Sequence, residues 1–514
     1  MSVKDLDMRD VDVGVGVSLA CDATSSVASA ATSGVASAAT SAVPGDSVST
    51  APVGAETAPN PATALGNDVI TKGSLWAAIW HMAWPLFLNM VTIAVASFVD
   101  LYVAGRLGSN VQAAIGMGGQ IWFFMVLLAV ALSAGTNALV SRFWGEGSLE
   151  KTVQAARQSI LFAFGFGTVS AIIGLLVCRP LMHLLGASPA VEQEGWDYLK
   201  YDLLAQLPFT VLWVTNSIFR AKGSAKIPML IMMCITAQVI VLDFVLCLGP
   251  LHVGIAGIGM SWGIASILGV ALSFYILKRS DIGACLDLRT MFRETSWEWF
   301  TRLMRVGIPA CVQDLAWVGG NFVLFAVLAH TANPTSAQAS WAVGMRIEEM
   351  IGGFPIYALS MAVATIVGQN LGAKQPDRAE RAGWQVTAVG AGMNTVIALV
   401  LFFGADQVAH LMSKDAAVIA YSVQYLKIVG LSQPFVAIWL ILMGGLNGAG
   451  YTKWPMVASI MVLTVFRLPL AWYLSVNSGL GPLGTWIAIS ASSTIIGLLF
   501  VWRFKTGVWK LQKV

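Results

Sequence analysis

Twelve apolar runs dominate the sequence, and each is long enough to cross a hydrocarbon layer of about 30 Å as a helix of about 20 residues. They lie at 76–104, 113–140, 154–177, 197–219, 228–248, 254–277, 300–329, 340–367, 384–404, 422–446, 455–476 and 483–503. Glycine and proline recur inside these runs, as in membrane helices that pack closely and bend. The sequence therefore predicts an all-α, polytopic membrane protein with twelve transmembrane helices.

The composition agrees with this prediction. The 514 residues are 57% hydrophobic and 11% charged, with a mean hydropathy of +0.73, whereas soluble domains carry about 25% charged residues. The formal charge of +3 gives no reason to expect a nucleic-acid partner. The six cysteines form no CxxC pair, so we expect small buried side chains rather than a metal site or a disulfide.

Residues 1–70 differ from the remainder, since they are rich in Ala, Ser, Thr, Val, Gly and Pro and nearly repeat themselves in "SSVASAATSGVASAATS". Such a segment buries too little surface to offset its chain entropy, so we predict a disordered tail. The opening "MSVKDLDMRD" mixes acids with bases, and no compact apolar stretch follows, which does not fit a signal peptide.

The distribution of Lys and Arg predicts the orientation. With the N-terminus inside, 21 of these residues flank the helices on the inner side and 5 flank them on the outer side. The positive-inside rule then places both termini in the cytoplasm and requires an even number of helices. We expect an integral multi-pass protein of the plasma membrane, which is the inner membrane in a bacterium.

An internal repeat divides the chain into two halves. "RAKGSAKIPM" at 220–229 matches "NGAGYTKWPM" at 447–456, and "VSRFWGEG" at 140–147 matches "VGQNLGAK" at 367–374, both at an offset of 227 residues. Six helices per copy make the copies parallel repeats, with a transporter-like site between them near the midplane. We predict an N-lobe at 71–280, a cytoplasmic linker at 281–299 and a C-lobe at 300–514.

The other loops are short and carry no P-loop, HExxH, GxSxG or paired CxxC, which argues against an enzyme and against an ATP-driven pump. A secondary transporter driven by an ion gradient remains. A membrane sensor or an integral membrane enzyme would need a soluble effector segment or a loop cluster of His and Asp.

Two acids in the first half are the main candidates for function. Asp100 ends the first apolar run, in "SFVDLYVAGRLG", and Asp243 lies inside "AQVIVLDFVLCLG". A carboxylate in the membrane is costly and is functional by default, so the two acids form a candidate proton store. The alternative for Asp100 is a place at the outer water interface. Neutral partners are Asn216, Gln238 and Ser261, unless these make helix–helix hydrogen bonds instead.

The second half offers weaker candidates. Asp314 is either a second binding acid or a residue near the cytoplasmic end of helix 7. Arg346 and Glu349 are spaced to form an i, i+3 pair, which is structural or else contacts substrate. Trp317 belongs to a set of aromatic and methionine side chains, some of which are able to line a cavity for amphiphilic cations.

The order of these motifs resembles the multidrug and toxic compound extrusion (MATE) family. "WPLF…FVDLYVAGRLG", "VSRFWGEG" and "FRAKGSAKIPM…LDFVL" resemble its first half, and "GIPACVQ…GMRIEEM…VGQNLGAK…GAGYTKWPM" its second half, over about 76–503. The resemblance implies two six-helix bundles in a V, with alternating access. It also implies extrusion of amphiphilic, often cationic compounds in exchange for protons or sodium ions.

The resemblance also implies roles for single residues. Asp100 and Asp243 fall on the coupling acids of the branch similar to DNA-damage-inducible protein F, Pro85 on the proline where helix 1 bends, and Ser261 on a threonine. The asparagine usual four residues before the second acid is Val239 here, which favours protons over sodium. The acids that other branches carry in the second half are absent, at Trp317 and around Val436.

We therefore expect an antiporter for small amphiphilic compounds, coupled to protons and less readily to sodium, that acts as a monomer in the lipid bilayer. The alternative is a flippase for lipid-linked precursors of the related superfamily. Such a flippase would line its opening with cations for a phosphate group, for which Arg346 and Arg467 are the candidates.

Overall fold

The computed structural model describes residues 68–184, 188–249, 253–287, 290 and 293–512, so nearly all of the predicted tail 1–70 lies outside the described residues. Regular structure in the described part of the chain is helical throughout. The first half contains α1 (Asp68–Thr71), α2 (Leu75–Leu107), α3 (Ser109–Glu146), α4 (Leu149–Leu184), α5 (Pro189–Leu204), α6 (Gln206–Ala221), α7 (Lys226–Asp243) with a π-helical turn at Phe244–Leu248, α8 (Ala256–Lys278), and a 3-10 turn at Gly283–Leu286.

The second half repeats this plan. It contains α9 (Trp297–Leu328), α10 (Pro334–Glu348), a π-helical turn at Glu349–Gly353, α11 (Phe354–Gly372), α12 (Pro376–Phe403), α13 (Ala405–Met412), α14 (Ala416–Gly430), α15 (Gln433–Gly448), α16 (Lys453–Ser459), π-helical turns at Ile460–Phe466 and Tyr473–Asn477 around α17 (Arg467–Trp472), α18 (Pro482–Lys505) and a 3-10 turn at Val508–Leu511.

Every predicted span coincides with helical structure. Among the described residues, ten helical segments are long and apolar enough to cross a membrane, and α14 with α15, bent by 54°, makes an eleventh. The remaining predicted span, 197–219, corresponds to α5 and α6. Each of these two helices has 16 residues, too few for a single span, and α5 carries the charged residues Glu192, Glu194, Asp197, Lys200 and Asp202.

The repeat explains why α5 and α6 are nevertheless equivalent to a span. Subtracting the offset of 227 from the bounds of α14 and α15 (416 and 448) gives 189 and 221, the bounds of α5 and α6. The two pairs are therefore the same broken helix in each copy, with a break at Ala205 in the first half and at Leu431–Ser432 in the second. The fold consists of two repeated six-helix bundles, as the sequence predicted.

Glycines at equivalent positions bring the two halves into backbone contact. A Cβ on Gly145 of α3 would lie 2.1 Å from the carbonyl oxygen of Gln369, and a Cβ on Gly372 of α11 would lie 2.1 Å from that of Arg142. Residue pairs 145/372 and 142/369 are each separated by 227, so the two contacts are copies of one another. The interface between the halves therefore has approximate two-fold symmetry, as expected for a parallel repeat.

The first helix of each half crosses onto the other half. On α2, Met82 and its neighbours pack in one apolar core with Leu359 and Val363 of α11. On α9, Leu303 packs among helices of the first half, and a Cβ on Gly135 of α3 would lie 2.4 Å from its carbonyl oxygen. Each first helix thus belongs to one bundle and contacts both.

Hydrogen bonds also join the two halves. Thr365 Oγ1 donates to Asn137 Oδ1 at 3.2 Å, and Gln369 Nε2 donates to the carbonyl of Ala221 at 2.7 Å. Before α2, the carbonyl of Ile70 accepts from Arg378 Nη2 of α12 at 3.0 Å. The hydrogen bonds between the halves that the structure describes all lie at the end of the bundles that contains Gly145 and Gly372, where the arms of the V meet.

We predict that Gly145→Ala destabilises the protein by about 1–3 kcal/mol, the usual cost of overpacking, because the contacted atom is a backbone carbonyl that cannot move aside. The matched control is Gly165→Ala in α4, where a Cβ meets nothing within 4 Å. Thermal unfolding of the purified protein in detergent measures both. Equal melting temperatures for the two variants would contradict a close contact at Gly145.

Candidate functional site

Asp100 of α2 lies in the interior of the first half. Its Oδ2 accepts a hydrogen bond from Trp262 Nε1 of α8 at 3.0 Å, and its Oδ1 is buried without a hydrogen-bond partner. Helix α2 continues to Leu107, two turns beyond the acid. Asp100 therefore faces protein, although it lies toward one end of its helix.

Asp243 is fully buried at the end of α7, and both of its side-chain oxygens lack a hydrogen-bond partner of good geometry. It lies close enough to Asp100 and Ser261 to interact with both. The helix changes to a π-helical turn immediately after it, at Phe244–Leu248. Such turns inside membrane helices are frequent at functional sites. An unpartnered buried carboxylate is costly, and a bound proton or cation relieves that cost.

Two residues that the sequence analysis did not single out complete this acidic cluster. Tyr198 of α5 interacts with Asp100, Asp243 and Asp202, and Asp202, one helical turn further on, is 8% exposed and acts on Asp100. Asp202 lies inside the predicted span 197–219, so the argument that identified Asp100 applied to it as well. The repeat could have identified Tyr198, because a tyrosine, Tyr425, also occupies the equivalent position 227 residues later.

A glycine contact sets the position of α5 in this cluster. A Cβ on Gly259 of α8 would lie 2.4 Å from the carbonyl oxygen of Tyr198. The backbones of α5 and α8 are therefore in direct contact one turn from Trp262 and Ser261. This contact brings three acids from α2, α5 and α7 around the donors of α8.

Of the three predicted neutral partners, one lies beside the acids and two do not. Ser261 lies beside Asp243 and donates its own hydroxyl to the carbonyl of Gly257 at 2.8 Å. Asn216 of α6 is buried with Oδ1 unpartnered, and Gln238 of α7 is half-buried. Within the described part of the chain, neither Asn216 nor Gln238 is among the partners that the structure gives to Asp100 or Asp243.

The candidates of the second half stay apart from the acidic cluster. Asp314 lies about midway along α9, away from either helix end, and interacts with Tyr357 and Cys311. Trp317, one turn further on, is half-buried against the large apolar core. Arg346 and Glu349 form the predicted i, i+3 ion pair at 3.3 Å, with side chains 75% and 50% exposed.

Pro85 is buried inside α2, and the helix continues through it. Proline has no amide hydrogen, so the carbonyl of His81 one turn earlier lacks its helical hydrogen bond, which weakens the helix at this point. The weak point lies between Asp100 and most of the α2 residues that pack on the second half, such as Ile79 and Met82. The hinge role of Pro85 remains a prediction.

A repeated pair of six-helix bundles, with a buried acidic cluster inside one bundle, defines a polytopic membrane transporter. The MatE family model matches residues 85–245 and 309–473, one stretch in each half. The chain therefore belongs to the MATE family.

Curated relatives resemble the chain over most of its length. It is 23% identical over 445 residues to the probable multidrug resistance protein NorM of Thermotoga maritima, covering 84% of this chain and 93% of that protein. It is 25% identical over 424 residues to the FAD transporter of Shewanella oneidensis, covering 81% and 92%. Among solved structures, a MOP superfamily transporter from Pyrococcus furiosus superposes with a TM-score of 0.79 at 21% identity, covering 86% of this chain and 98% of that one.

We predict that Asp243→Asn raises thermal stability at pH 9, because it removes a buried carboxylate whose unmet hydrogen bonds cost about 1–3 kcal/mol. The gain should shrink as the pH falls, because a larger share of the wild-type carboxyl is then neutral and no longer loses the hydration of a charge. Unfolding of both proteins in detergent across this pH range is the measurement. Asp406→Asn, at a side chain 61% exposed and paired with Lys427, is the control and should change little. A lower stability of Asp243→Asn at every pH would contradict the unpartnered state of Asp243.

Proposed function

We propose that this protein is a secondary active multidrug efflux antiporter, which exports amphiphilic and often cationic compounds in exchange for protons. The observation that carries the proposal is the buried pair Asp100 and Asp243. Its interactions are with other acids and with neutral donors rather than with a fixed cation. A mobile cation is therefore needed to neutralise it. The names of relatives such as NorM of Thermotoga maritima support drug export.

Protons fit this site better than sodium ions. Asp243 carries two unpartnered oxygens, and Val239 stands where a carbonyl-bearing asparagine would add a ligand. A sodium ion needs several oxygen ligands, whereas a proton needs one carboxyl oxygen. In this mechanism, protonation of Asp243 and Asp100 removes the negative charge that holds a cationic substrate, and the substrate leaves on the outer side.

Helix α2 links this charge change to alternating access. It carries Asp100 toward its C-terminal end, Pro85 about one third of the way along, and the residues around Met82 that pack on the second half. A shift at Asp100 is therefore transmitted through a helix with a weak point to the contact between the halves. Because the halves are joined at one end, small rotations there open or close the far end of the V.

The remaining site residues are assigned to substrate contact. Asn216 and Gln238 supply neutral hydrogen-bonding groups in the first half. Asp314, Trp317 and the ion pair Arg346–Glu349 supply charge and an aromatic surface in the second. The protein acts as a monomer in the bacterial inner membrane, with both termini in the cytoplasm, and uses no cofactor other than the coupling ion.

The flippase alternative loses part of its support in the structure. It requires a cationic lining, and Arg467 is 3% exposed and bonded to serines, while Arg346 is paired with Glu349. A transporter named for FAD is also among the relatives of the chain. Export of an anionic compound is therefore the alternative that the transport experiment must distinguish from export of a cation.

We predict that Asp100→Asn and Asp243→Asn each reduce proton-driven efflux of ethidium from vesicles by about tenfold or more, which is a barrier increase of at least about 1.4 kcal/mol. Each variant removes one of the groups that exchange a proton for the substrate. The measurement is ethidium fluorescence after a pH gradient is imposed at constant sodium. Asp406→Asn provides the matched control.

A sodium gradient at uniform pH is the companion measurement. Efflux driven by sodium alone would overturn proton coupling and leave drug export intact. No dye movement with either gradient would overturn drug export. Transport of a lipid-linked phosphate compound would then support the flippase.

We further predict that Pro85→Ala slows efflux by about tenfold while ethidium binding in detergent keeps its affinity. Alanine restores the amide donor to the carbonyl of His81 and stiffens α2 without touching the acidic cluster. Pro180→Ala is the matched control, since Pro180 also lies inside a helix, α4, but is exposed away from the contact between the halves. Normal efflux by Pro85→Ala would refute a hinge at this residue.

A further inference from the structure

Residues 507–512 follow the last helix of the second half, α18, and fold back onto their own bundle. Gly507 has a φ of 67°, a left-handed conformation that glycine adopts without strain, and it turns the chain after α18. Trp509 is then fully buried, stacks on Phe504 with the ring centroids 4.6 Å apart, and donates from Nε1 to the carbonyl of Phe504 at 2.9 Å. This 507–512 segment is therefore part of the packed structure.

Ion pairs hold the 507–512 segment on α12. Lys510 Nζ lies 2.6 Å from Glu380 Oε2 and 3.1 Å from Asp377 Oδ1, and the side chain of Lys510 is 21% exposed. Arg378, between these two acids in the sequence, donates from Nη2 to the carbonyl of Ile70 in α1. The first turns of α12 thus anchor both the 507–512 segment and the chain that leads into α2.

The far end of the 507–512 segment reaches the other half. Arg142 of α3 donates from Nη2 to the carbonyl of Gln512 at 3.3 Å. Its Nη1 is buried without a hydrogen-bond partner, and Glu146, one turn further along α3, pairs with Lys151 at 3.3 Å. Within the described residues, the carbonyl of Gln512 is the hydrogen-bond acceptor that the structure gives to this guanidinium.

This hydrogen bond lies where the two bundles meet. The carbonyl oxygen of Arg142 is the atom that Gly372 of α11 approaches most closely, so Arg142 contacts the second half through its backbone and through its side chain. A segment anchored on α12 cannot stay within hydrogen-bonding distance of α3 if the bundles separate at this end. The bond between Arg142 and Gln512 therefore exists only while the joined end is closed.

The repeat shows that this crossing belongs to the second copy alone. In the first half, the 3-10 turn at Gly283–Leu286 follows α8 as the turn at Val508–Leu511 follows α18. Arg157 of α4 donates from Nη2 to the carbonyl of Ala284 in that turn at 3.2 Å. Since α4 lies in the same half as the turn, the equivalent hydrogen bond of the first half stays within one bundle.

We propose that the 507–512 segment is a latch, which favours the conformation in which the joined end of the two bundles is closed. The latch releases Arg142 when that end opens during transport. Only this second statement rests on the proposed function. A hydrogen bond to a charged group changes an equilibrium constant by about tenfold or more. The latch therefore adjusts the balance between two conformations.

A reporter cysteine introduced by Thr365→Cys tests the latch. Thr365 is fully buried and donates to Asn137 of the other half, so a maleimide reaches this position only while the halves are apart. The full-length protein is labelled in detergent, and the peptide that contains residue 365 is quantified by mass spectrometry. We expect Lys510→Glu, which places a third acid beside Asp377 and Glu380, to raise the labelling rate about three- to tenfold, because this rate follows the population of the open form.

A charge exchange and a matched substitution are the controls. Lys510→Glu combined with Glu380→Lys recreates an ion pair and should return the labelling rate toward that of the Thr365→Cys parent. Lys427→Glu reverses a lysine that pairs with Asp406, away from the latch, and should leave the rate unchanged.

A double-variant comparison tests whether the segment acts through Arg142. Arg142→Met removes the donor and should raise the labelling rate as Lys510→Glu does. Combining the two should add little, since both break the same hydrogen bond. Independent and multiplying effects of the two substitutions would overturn the proposal. So would a Lys510→Glu rate equal to that of the parent.

Cys178 distinguishes opening from unfolding in the same samples. It is fully buried in an apolar core of the first half, so unfolding exposes it and separation of the halves does not. The latch predicts a rise at residue 365 without a rise at Cys178, and equal rises at both would contradict it. Because labelling needs neither substrate nor an ion gradient, failure of ethidium transport would overturn drug export and leave this result standing.

Discussion

The structure depends on the cost of placing charged groups and unbonded polar groups inside a membrane. That cost makes α-helices the spanning element, because all their backbone groups bond within the segment. It also limits where ionisable side chains occur. Asp202 and Asp243, two buried acids of the first half, lie with Asp100 around Tyr198. Within the described residues, no cation is among the partners that the structure gives to these acids.

The contact between the halves rests on a different constraint, which is the close approach of backbones. Gly145 and Gly372 allow α3 and α11 to touch, and any side chain there would overlap a carbonyl group of the other half. Without a hydrophobic driving force between helices in lipid, such close packing with a few hydrogen bonds supplies much of the association. Helices α2 and α9 cross at the same end. Movements of one bundle therefore act on the other through a small and well-defined region.

Duplication gave both halves the same scaffold, and divergence of a few side chains gave them different electrical properties. The broken helix pairs α5–α6 and α14–α15 share their bounds at the offset of 227, yet α5 carries Asp202 where α14 carries Val429. Three of the described π-helical turns adjoin a charged residue, Asp243 in the first half and Glu348 and Arg467 in the second, whereas the turn at Tyr473–Asn477 adjoins none.

The sequence by itself determined the helical class, the places of the spans, the repeat and the two acids Asp100 and Asp243, because hydropathy and rare intramembrane charges are local properties. It also predicted the Arg346–Glu349 pair, which depends only on helical spacing. Only the tertiary structure decided that Trp262 donates to Asp100, that Tyr198 and Asp202 join the two acids, and that Arg467 donates to Ser492 and Ser493. These contacts join residues between 25 and 162 positions apart in the chain, so no local pattern in the sequence predicts them. Asn216 and Gln238 show the same limit, since their polarity was visible in the sequence but their distance from the acids was not.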